Sequence, residues 1–221
     1  MIDTYAAGHR GSRGLMIACI GDLFSDRETV AAAWAVGSGV HDACMNAEIA
    51  LYVIGRRRCG PDNATVDAAA QIVRDAETST GAVDVPLYGF GHSIGAMWWS
   101  RILAIKNQVR ALAQRLSGVC LYSCLWDGVR RRWAWADRMF PTPSRFLARK
   151  WPEPEPIPLP RLTAAVNDKD KTPGTRSEWH KILREHRLAG VGIKPFMGEG
   201  GHAVDPKNAE RIIEWMTADG A

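Results

Sequence analysis

The chain has 221 residues, enough for one domain with a substantial buried core. Charged residues make up 24% of it and hydrophobic residues 46%, a balance that argues against disorder. The net charge of +4 is too small to indicate a nucleic-acid-binding surface. No apolar stretch approaches the roughly 20 residues of a membrane helix, and no secretory leader is recognisable. We expect a cytoplasmic protein that does not bind a membrane, and the five cysteines, without a CxxC pair, fit a reducing compartment.

Short apolar runs predict strands, and helical patterns separate most of them. In chain order the predicted strands are Leu15 to Ile20, Ile49 to Ile54, Val85 to Phe90, Gly118 to Cys124, Leu162 to Val166 and Gly192 to Phe196. Near-continuous apolar strands that alternate with amphipathic helices are typical of a parallel sheet covered on both faces. The expected fold class is therefore α/β, with a doubly wound, mostly parallel sheet.

Capping signals and one-face apolar spacing predict the helices. Capping boxes at Ser25 to Glu28 and Thr175 to Glu178 indicate two helix starts. Helical periodicity begins at Val66 and again after the cap and first-turn proline of Asp205 and Pro206. A further long helix is predicted from Ile94 to about Leu116.

The alternation is interrupted at residues 126–160. This segment carries four of the nine tryptophans, and its prolines at positions 152, 154, 156, 158 and 160 favour an extended backbone. We predict a small cap followed by a proline-rich return, inside a single domain that spans residues 1–221. Trp126, Trp133 and Trp135 are candidates for contact with a substrate or for packing within the core.

One serine lies at the junction of a predicted strand and helix. Gly91 to Gly95 reads GHSIG and matches the G-x-S-x-G pattern, in which a sharp strand-to-helix turn exposes the hydroxyl of the central serine, here Ser93. The pattern alone is weak, but a preceding apolar strand and a following helix are the context that it requires. His92 flanks the serine and is a candidate either for substrate contact or for packing and hydrogen bonding.

A serine nucleophile requires a general base and a group that orients the base. The run NDKDKTP follows the fifth predicted strand and GEGGHA the sixth, so both lie at strand ends. His202, in the second run, is the candidate base. Asp170 or Asp168, in the first, can accept its Nδ1 proton.

Residues 15–217 resemble the α/β-hydrolase fold of compact serine esterases, similar to carboxylesterases and dienelactone hydrolases. The resemblance rests on GHSIG, NDKDKTP and GEGGHAVDP in that order. Members of this group often carry a glycine-x-x-aspartate turn followed by a proline. Asn167 stands at the glycine position, which points to Asp170, but Pro173 comes about one residue early and leaves Asp168 open.

The resemblance also implies an oxyanion hole made of two backbone donors. The amide of Ile94, directly after the nucleophile, is the first candidate. The loop after the first predicted strand would supply the second, from Asp22 or from Leu23, which is also a candidate for substrate contact. Ile20 replaces the histidine that usually precedes Gly21 in the resembled enzymes.

The sequence thus predicts a serine hydrolase that cleaves a small-molecule carboxylic ester without a cofactor. Thioester or amide cleavage would use the same chemistry, and a non-catalytic binding protein of this fold is the alternative of another class. The sequence contains no HExxH pattern, which would indicate a metal site. No predicted strand is followed by the G-x-G-x-x-G of a dinucleotide-binding protein. The oligomeric state cannot be read from the sequence.

Overall fold

One sheet organises the part of the chain that the structure describes. The computed structural model describes residues 4–8, 11–21, 30–55, 58–59, 63–124, 160–170 and 192–218. Within them the strands are β1 (Thr4–Ala7), β2 (Gly14–Gly21), β3 (Ile49–Ile54), β4 (Leu87–Ser93), β5 (Leu116–Tyr122), β6 (Arg161–Asn167) and β7 (Ile193–Gly198). They form a seven-stranded sheet in the order β1-β3-β2-β4-β5-β6-β7. Only the pairing of β1 with β3 is antiparallel among these strands.

Helices cover both faces of the sheet. In the described residues they are α1 (Val30–Gly37), α2 (Val40–Asn46), α3 (Val66–Thr80), α4 (Ile94–Ile105), α5 (Arg110–Arg115) and α6 (Pro206–Thr217). Alternate residues of the fully buried β2 enter two separate cores, with Leu15 and Ile17 facing α3, α4 and α5, and Met16 and Ala18 facing α1, α2 and α6. Apolar side chains on both faces of a strand explain its continuous hydrophobic sequence. The predicted doubly wound α/β fold is confirmed.

Some local predictions are wrong or incomplete. The predicted helix from Ile94 to Leu116 is interrupted by a 3-10 turn at Lys106–Gln108 and by Val109, whose extended backbone (φ −103°, ψ 100°) ends the helical path. A β-branched residue adopts that extended conformation readily. The short edge strand β1 was not predicted, because four residues of mixed exposure give little periodic signal. In contrast, Asp205 caps α6 as expected, since its carboxylate accepts from the Lys207 amide at 3.1 Å.

Several predictions fall on residues outside the described ranges. They include both capping boxes and residues 126–159 of the predicted cap. Within the described ranges, no helix combines the length and apolarity needed to cross a bilayer. Trp98 and Trp99 are buried in α4, and all five cysteines are buried and free.

The parallel strands bring distant parts of the chain to one edge of the sheet. Strands β2 to β7 run in the same direction, so their carboxyl ends share that edge. Reactive groups of open parallel sheets lie beyond this edge. The segments that follow β4, β5, β6 and β7 therefore meet although they are far apart in sequence.

The turn between β4 and α4 depends on close approach of backbones. A Cβ atom added at Gly95 would stand 1.9 Å from the carbonyl oxygen of Cys19 in β2 and 2.4 Å from its carbonyl carbon. Both atoms belong to a central strand whose hydrogen bonds fix its position. Gly95 thus lets the first turn of α4 lie directly against β2.

We expect Gly95→Ala to lower the free energy of unfolding by about 3 kcal/mol, because the backbone that the new Cβ meets cannot move aside as a side chain can. Gly37→Ala is the matched control, since a Cβ at Gly37 meets no atom within 4 Å. That variant should be as stable as the parent or more so. Urea denaturation measures both, and equal effects would contradict the packing argument.

Candidate active site

Ser93 ends the central strand in a strained conformation. Its backbone angles are φ 56° and ψ −116°, outside the regions that residues with a side chain normally occupy. Strain of this kind costs on the order of 1 to 3 kcal/mol and concentrates at functional sites. Ser93 lies between β4 and α4, and the residue is 5% exposed. This is the strand-to-helix turn that the GHSIG pattern predicts.

Asp170 and His202 are hydrogen-bonded to each other. The Nδ1 atom of His202 lies 3.0 Å from Oδ2 of Asp170. The side chain of Asp170 is 1% exposed, whereas that of His202 is 39% exposed. A carboxylate accepts only, so Nδ1 carries the proton and Nε2 is the basic nitrogen of the neutral ring. The pair is therefore arranged as a base held by a buried carboxylate.

Ser123 provides a second hydrogen bond to the same carboxylate oxygen. Its hydroxyl donates to Oδ2 of Asp170 at 2.6 Å, and the residue is fully buried just after β5. The backbone of Ser123 has a positive φ of 50°, and its amide donates to the carbonyl of Ala165 at 2.8 Å. A buried carboxylate needs such donors, because burial without them disfavours its ionised form.

Asp168, the alternative acid, has different partners. Its carboxylate accepts from the Gly200 amide at 2.8 Å, and its own amide donates to the carbonyl of Gly198 at 3.0 Å. The structure brings Asp170, and not Asp168, to the ring of His202. Asp168 instead joins the turn after β6 to the loop that carries His202.

His92 supports the backbone of His202. Its Nε2 atom donates to the carbonyl oxygen of His202 at 2.7 Å. The two imidazole rings have centroids 5.0 Å apart, and the ring of His92 also packs against Trp34 and Tyr122. Because His92 is 7% exposed, these contacts correspond to the packing and hydrogen-bonding role considered above. They also bring the His202 ring beside the residue that precedes Ser93.

The surroundings of the Ile94 amide fit an oxyanion site only in part. A Cβ at Gly21 would lie 2.2 Å from the Ile94 nitrogen, so the end of β2 packs directly against this amide. Asp22 and Leu23, the candidates for the second donor, lie outside the described residues. So do Trp126, Trp133 and Trp135. Among the described residues, no group of three or more histidine, cysteine or acidic side chains could hold a metal ion.

Comparison with known proteins identifies the fold. No protein-family model matches the sequence, and no curated protein is significantly similar to it. Among solved structures, S-formylglutathione hydrolase (FrmB) of Staphylococcus aureus matches with a TM-score of 0.62 and 11% identity, over 96% of this chain and 84% of that one. A truncated carbohydrate esterase from gut microbiota gives 0.60 and 16%, over 97% and 88%.

A butyrate-bound esterase of Thermogutta terrifontis, Est2, is similar to the same extent. Its TM-score is 0.60 at 13% identity, over 96% of this chain and 86% of that one. Likenesses at such low identity establish the architecture alone. The chain therefore has the α/β-hydrolase fold, as the sequence resemblance implies.

Sequence reasoning did not find Ser123 as a site residue. It is the second-last residue of the predicted strand from Gly118 to Cys124, close to the edge at which the other candidate residues lie. However, a lone serine at the end of an apolar run carries no motif, and its contact with Asp170 joins residues 47 positions apart. The positive φ is the feature that distinguishes it, and the sequence does not display that feature.

We expect Ser123→Ala to lower the free energy of unfolding by about 1 to 3 kcal/mol, because the buried carboxylate of Asp170 loses a donor. Ser38→Ala is the control: Ser38 is also buried, but the hydrogen bonds that its hydroxyl makes within the described ranges are long contacts with backbone, at 3.3 and 3.4 Å. It should cost about 1 kcal/mol or less. Chemical denaturation at neutral pH compares the two variants. A loss of unfolding free energy for Ser123→Ala that is no larger than that for Ser38→Ala would contradict the role of Ser123 as a donor to Asp170.

Proposed function

We propose that the chain is a serine hydrolase that cleaves carboxylic esters through an acyl-enzyme. One observation carries the proposal: at the carboxyl edge of the sheet, the strained Ser93 directly follows His92, whose ring lies 5.0 Å from that of His202, and His202 is bonded to Asp170. A binding protein has no need for this combination. The names of the structural neighbours, which include S-formylglutathione hydrolase, carbohydrate esterase and arylesterase, support the same class.

In the acylation step, the Ser93 hydroxyl attacks the carbonyl carbon of the ester. Its proton passes to Nε2 of His202, and the resulting imidazolium is stabilised by the carboxylate of Asp170. The tetrahedral intermediate then collapses, the bond to the alcohol oxygen breaks, and His202 returns the proton to the departing alcohol. Ser93 is left esterified with the acyl group.

Deacylation repeats these steps with water as the nucleophile. His202 takes a proton from the water, which attacks the acyl-enzyme, and returns it to the Ser93 oxygen as the carboxylic acid leaves. No cofactor or metal enters either half-reaction. The 39% exposure of the His202 side chain is compatible with access of water to its ring.

The negative oxygen of each tetrahedral intermediate requires preorganised donors. The amide of Ile94 is the first donor in this proposal, since it follows the nucleophile at the start of α4. The second comes from Asp22 or Leu23, in the segment after β2. The packing of Gly21 against the Ile94 amide supports this arrangement, because it brings the start of that segment to the first donor.

Ser93→Ala should abolish turnover of p-nitrophenyl esters while the protein remains folded, because the hydroxyl is the nucleophile and contributes little packing. A fluorophosphonate probe with peptide mass mapping should modify Ser93 in the parent protein. Ser100→Ala is the control, since the hydroxyl of that buried α4 serine donates to the carbonyl of Met97 at 2.7 Å, within its own helix, and its removal should leave labelling intact. A folded parent that is neither labelled nor active would favour the binding-protein alternative.

Asp170→Asn should lower kcat for the same esters by roughly a thousand-fold or more, because an amide no longer fixes the His202 tautomer or stabilises its cation. Asp168→Asn is the matched comparison. Its backbone contacts can be kept by the amide oxygen, so kcat should fall less than about 10-fold. The reverse ranking in steady-state kinetics would transfer the role of the acid to Asp168.

A further inference from the structure

A buried polar cluster, outside the three residues of the proposed reaction, fixes the segment that carries His202. Asn167 ends β6 and is 3% exposed. Its Nδ2 donates to the carbonyl of Gly201 at 2.8 Å and to the carbonyl of Ala203 at 2.5 Å. These carbonyls belong to the residues on either side of His202. One amide group therefore holds the main chain on both sides of the histidine.

The orientation of this amide follows from its partners. Two carbonyl oxygens can only accept, so the NH₂ end of Asn167 must face Gly201 and Ala203, and its oxygen must face the hydroxyl of Tyr122. The hydroxyl must then donate to Asn167. It accepts in turn from the Asp205 amide at 3.1 Å, leaving one further acceptor position.

That remaining position is also filled. The Nδ2 atom of Asn208 in α6 donates to the Tyr122 hydroxyl at 3.3 Å. The one proton and the two lone pairs of that hydroxyl are then all used in hydrogen bonds. Tyr122 is fully buried, and burial raises the pKa of its phenol to about 12. At neutral pH the phenol is therefore protonated and donates its hydrogen bond to the Asn167 oxygen. In this network Asn167 has a single possible orientation.

We propose that Asn167 is a positioning residue for His202, whose amide sets the distance between the imidazole and Asp170 by holding the main chain on both sides of the histidine. The inference rests on the proposed function for its effect on catalysis, but not for its effect on geometry. Asn167 and Asp170 belong to one turn, since the Asp170 amide donates to the Asn167 carbonyl at 3.1 Å. The turn from Asn167 to Asp170 therefore carries both the carboxylate that is bonded to His202 and the amide that holds the main chain beside His202.

The sequence resemblance implies that a glycine usually stands at the position of Asn167. A glycine has no side chain and cannot make these contacts. A Cβ at Gly198 would stand 2.5 Å from Oδ1 of Asn167, so β7 leaves room for the amide. The local sequence of both strands is therefore matched to this side chain. The positioning role belongs to Asn167 itself and not to the backbone turn alone.

The test uses Asn167→Asp and Asn167→Ala in the full chain. The aspartate keeps the shape of the side chain, but as a carboxylate it cannot donate to the two carbonyls. Displacement of a catalytic group by about 1 Å costs on the order of 100-fold in rate. We expect kcat for p-nitrophenyl esters to fall by about that factor in both variants, with KM changed less than about threefold.

Thr163→Val is the matched control, because Thr163 is equally buried in β6 but lies on the strand away from its carboxyl end. It should leave kcat near that of the parent. A fall in thermal stability without a fall in kcat for the Asn167 variants would overturn the proposal, since a merely structural residue gives that result. So would equal kcat losses for Asn167→Ala and Thr163→Val.

Nuclear magnetic resonance of ¹⁵N-histidine-labelled protein provides a readout independent of activity. The Nδ1 proton of His202, hydrogen-bonded to Asp170, should give a downfield signal in the parent and in Thr163→Val, and that signal should shift or disappear in Asn167→Asp. If the parent hydrolyses no ester and Ser93 is not labelled, the proposed function fails while this measurement still decides the positioning role. An unchanged Nδ1 proton signal in Asn167→Asp would overturn the positioning role of Asn167.

If neither Asn167 variant folds, Tyr122→Phe addresses the same geometry while keeping the aromatic ring. Loss of the hydroxyl removes the donor that orients the Asn167 amide. The downfield signal of His202 should then shift in the same direction as predicted for Asn167→Asp, with a smaller loss of kcat. No change in either measurement would overturn the proposal.

Discussion

The contact between the first turn of α4 and the end of β2 is the constraint on which the rest of the site depends. Gly95 lies against the carbonyl of Cys19, and Gly21 lies against the amide of Ile94, so no side chain separates the two backbones. A strand that runs into a helix under this restriction must turn within one residue. That residue is Ser93, whose positive φ is the local expression of the packing around it.

Much of this arrangement could be predicted from the sequence. The strands buried on both faces, such as β2 and β3, have continuous apolar sequences that leave little ambiguity. The GHSIG pattern combines two glycines that the close backbone packing requires with a serine that the proposed chemistry requires, so one short motif indicates both the turn and the candidate nucleophile. The grouping of the candidate residues at one edge followed because parallel strands place their carboxyl ends together, whereas the order of the strands was not predicted. In these cases local sequence and global fold make the same demand.

The remaining features depend on contacts between distant segments, which no local pattern records. The choice of Asp170 over Asp168 required the position of His202, because both aspartates occupy one short turn. The hydrogen bonds of Ser123 and Asn167 likewise join residues more than 30 positions apart. The prediction of a continuous helix through Lys106 was wrong for a different reason. The apolar periodicity of the sequence continues past the point where the backbone leaves the helical conformation. Periodicity describes burial, and burial alone does not ensure a continuous helix.

The span of the contacts that hold His202 has a consequence for folding kinetics. His92 binds the carbonyl of His202 across 110 residues, and Tyr122 binds the Asp205 amide across 83. Contacts of such high order form only after the loop-closure entropy of the intervening chain has been overcome, which favours local structure first. We therefore expect the histidine to join its partners after β5, β6 and β7 have paired, because those pairings close shorter loops. Under the proposed mechanism, a nascent or partly folded chain would carry Ser93 without the imidazole of His202 and would hydrolyse no ester.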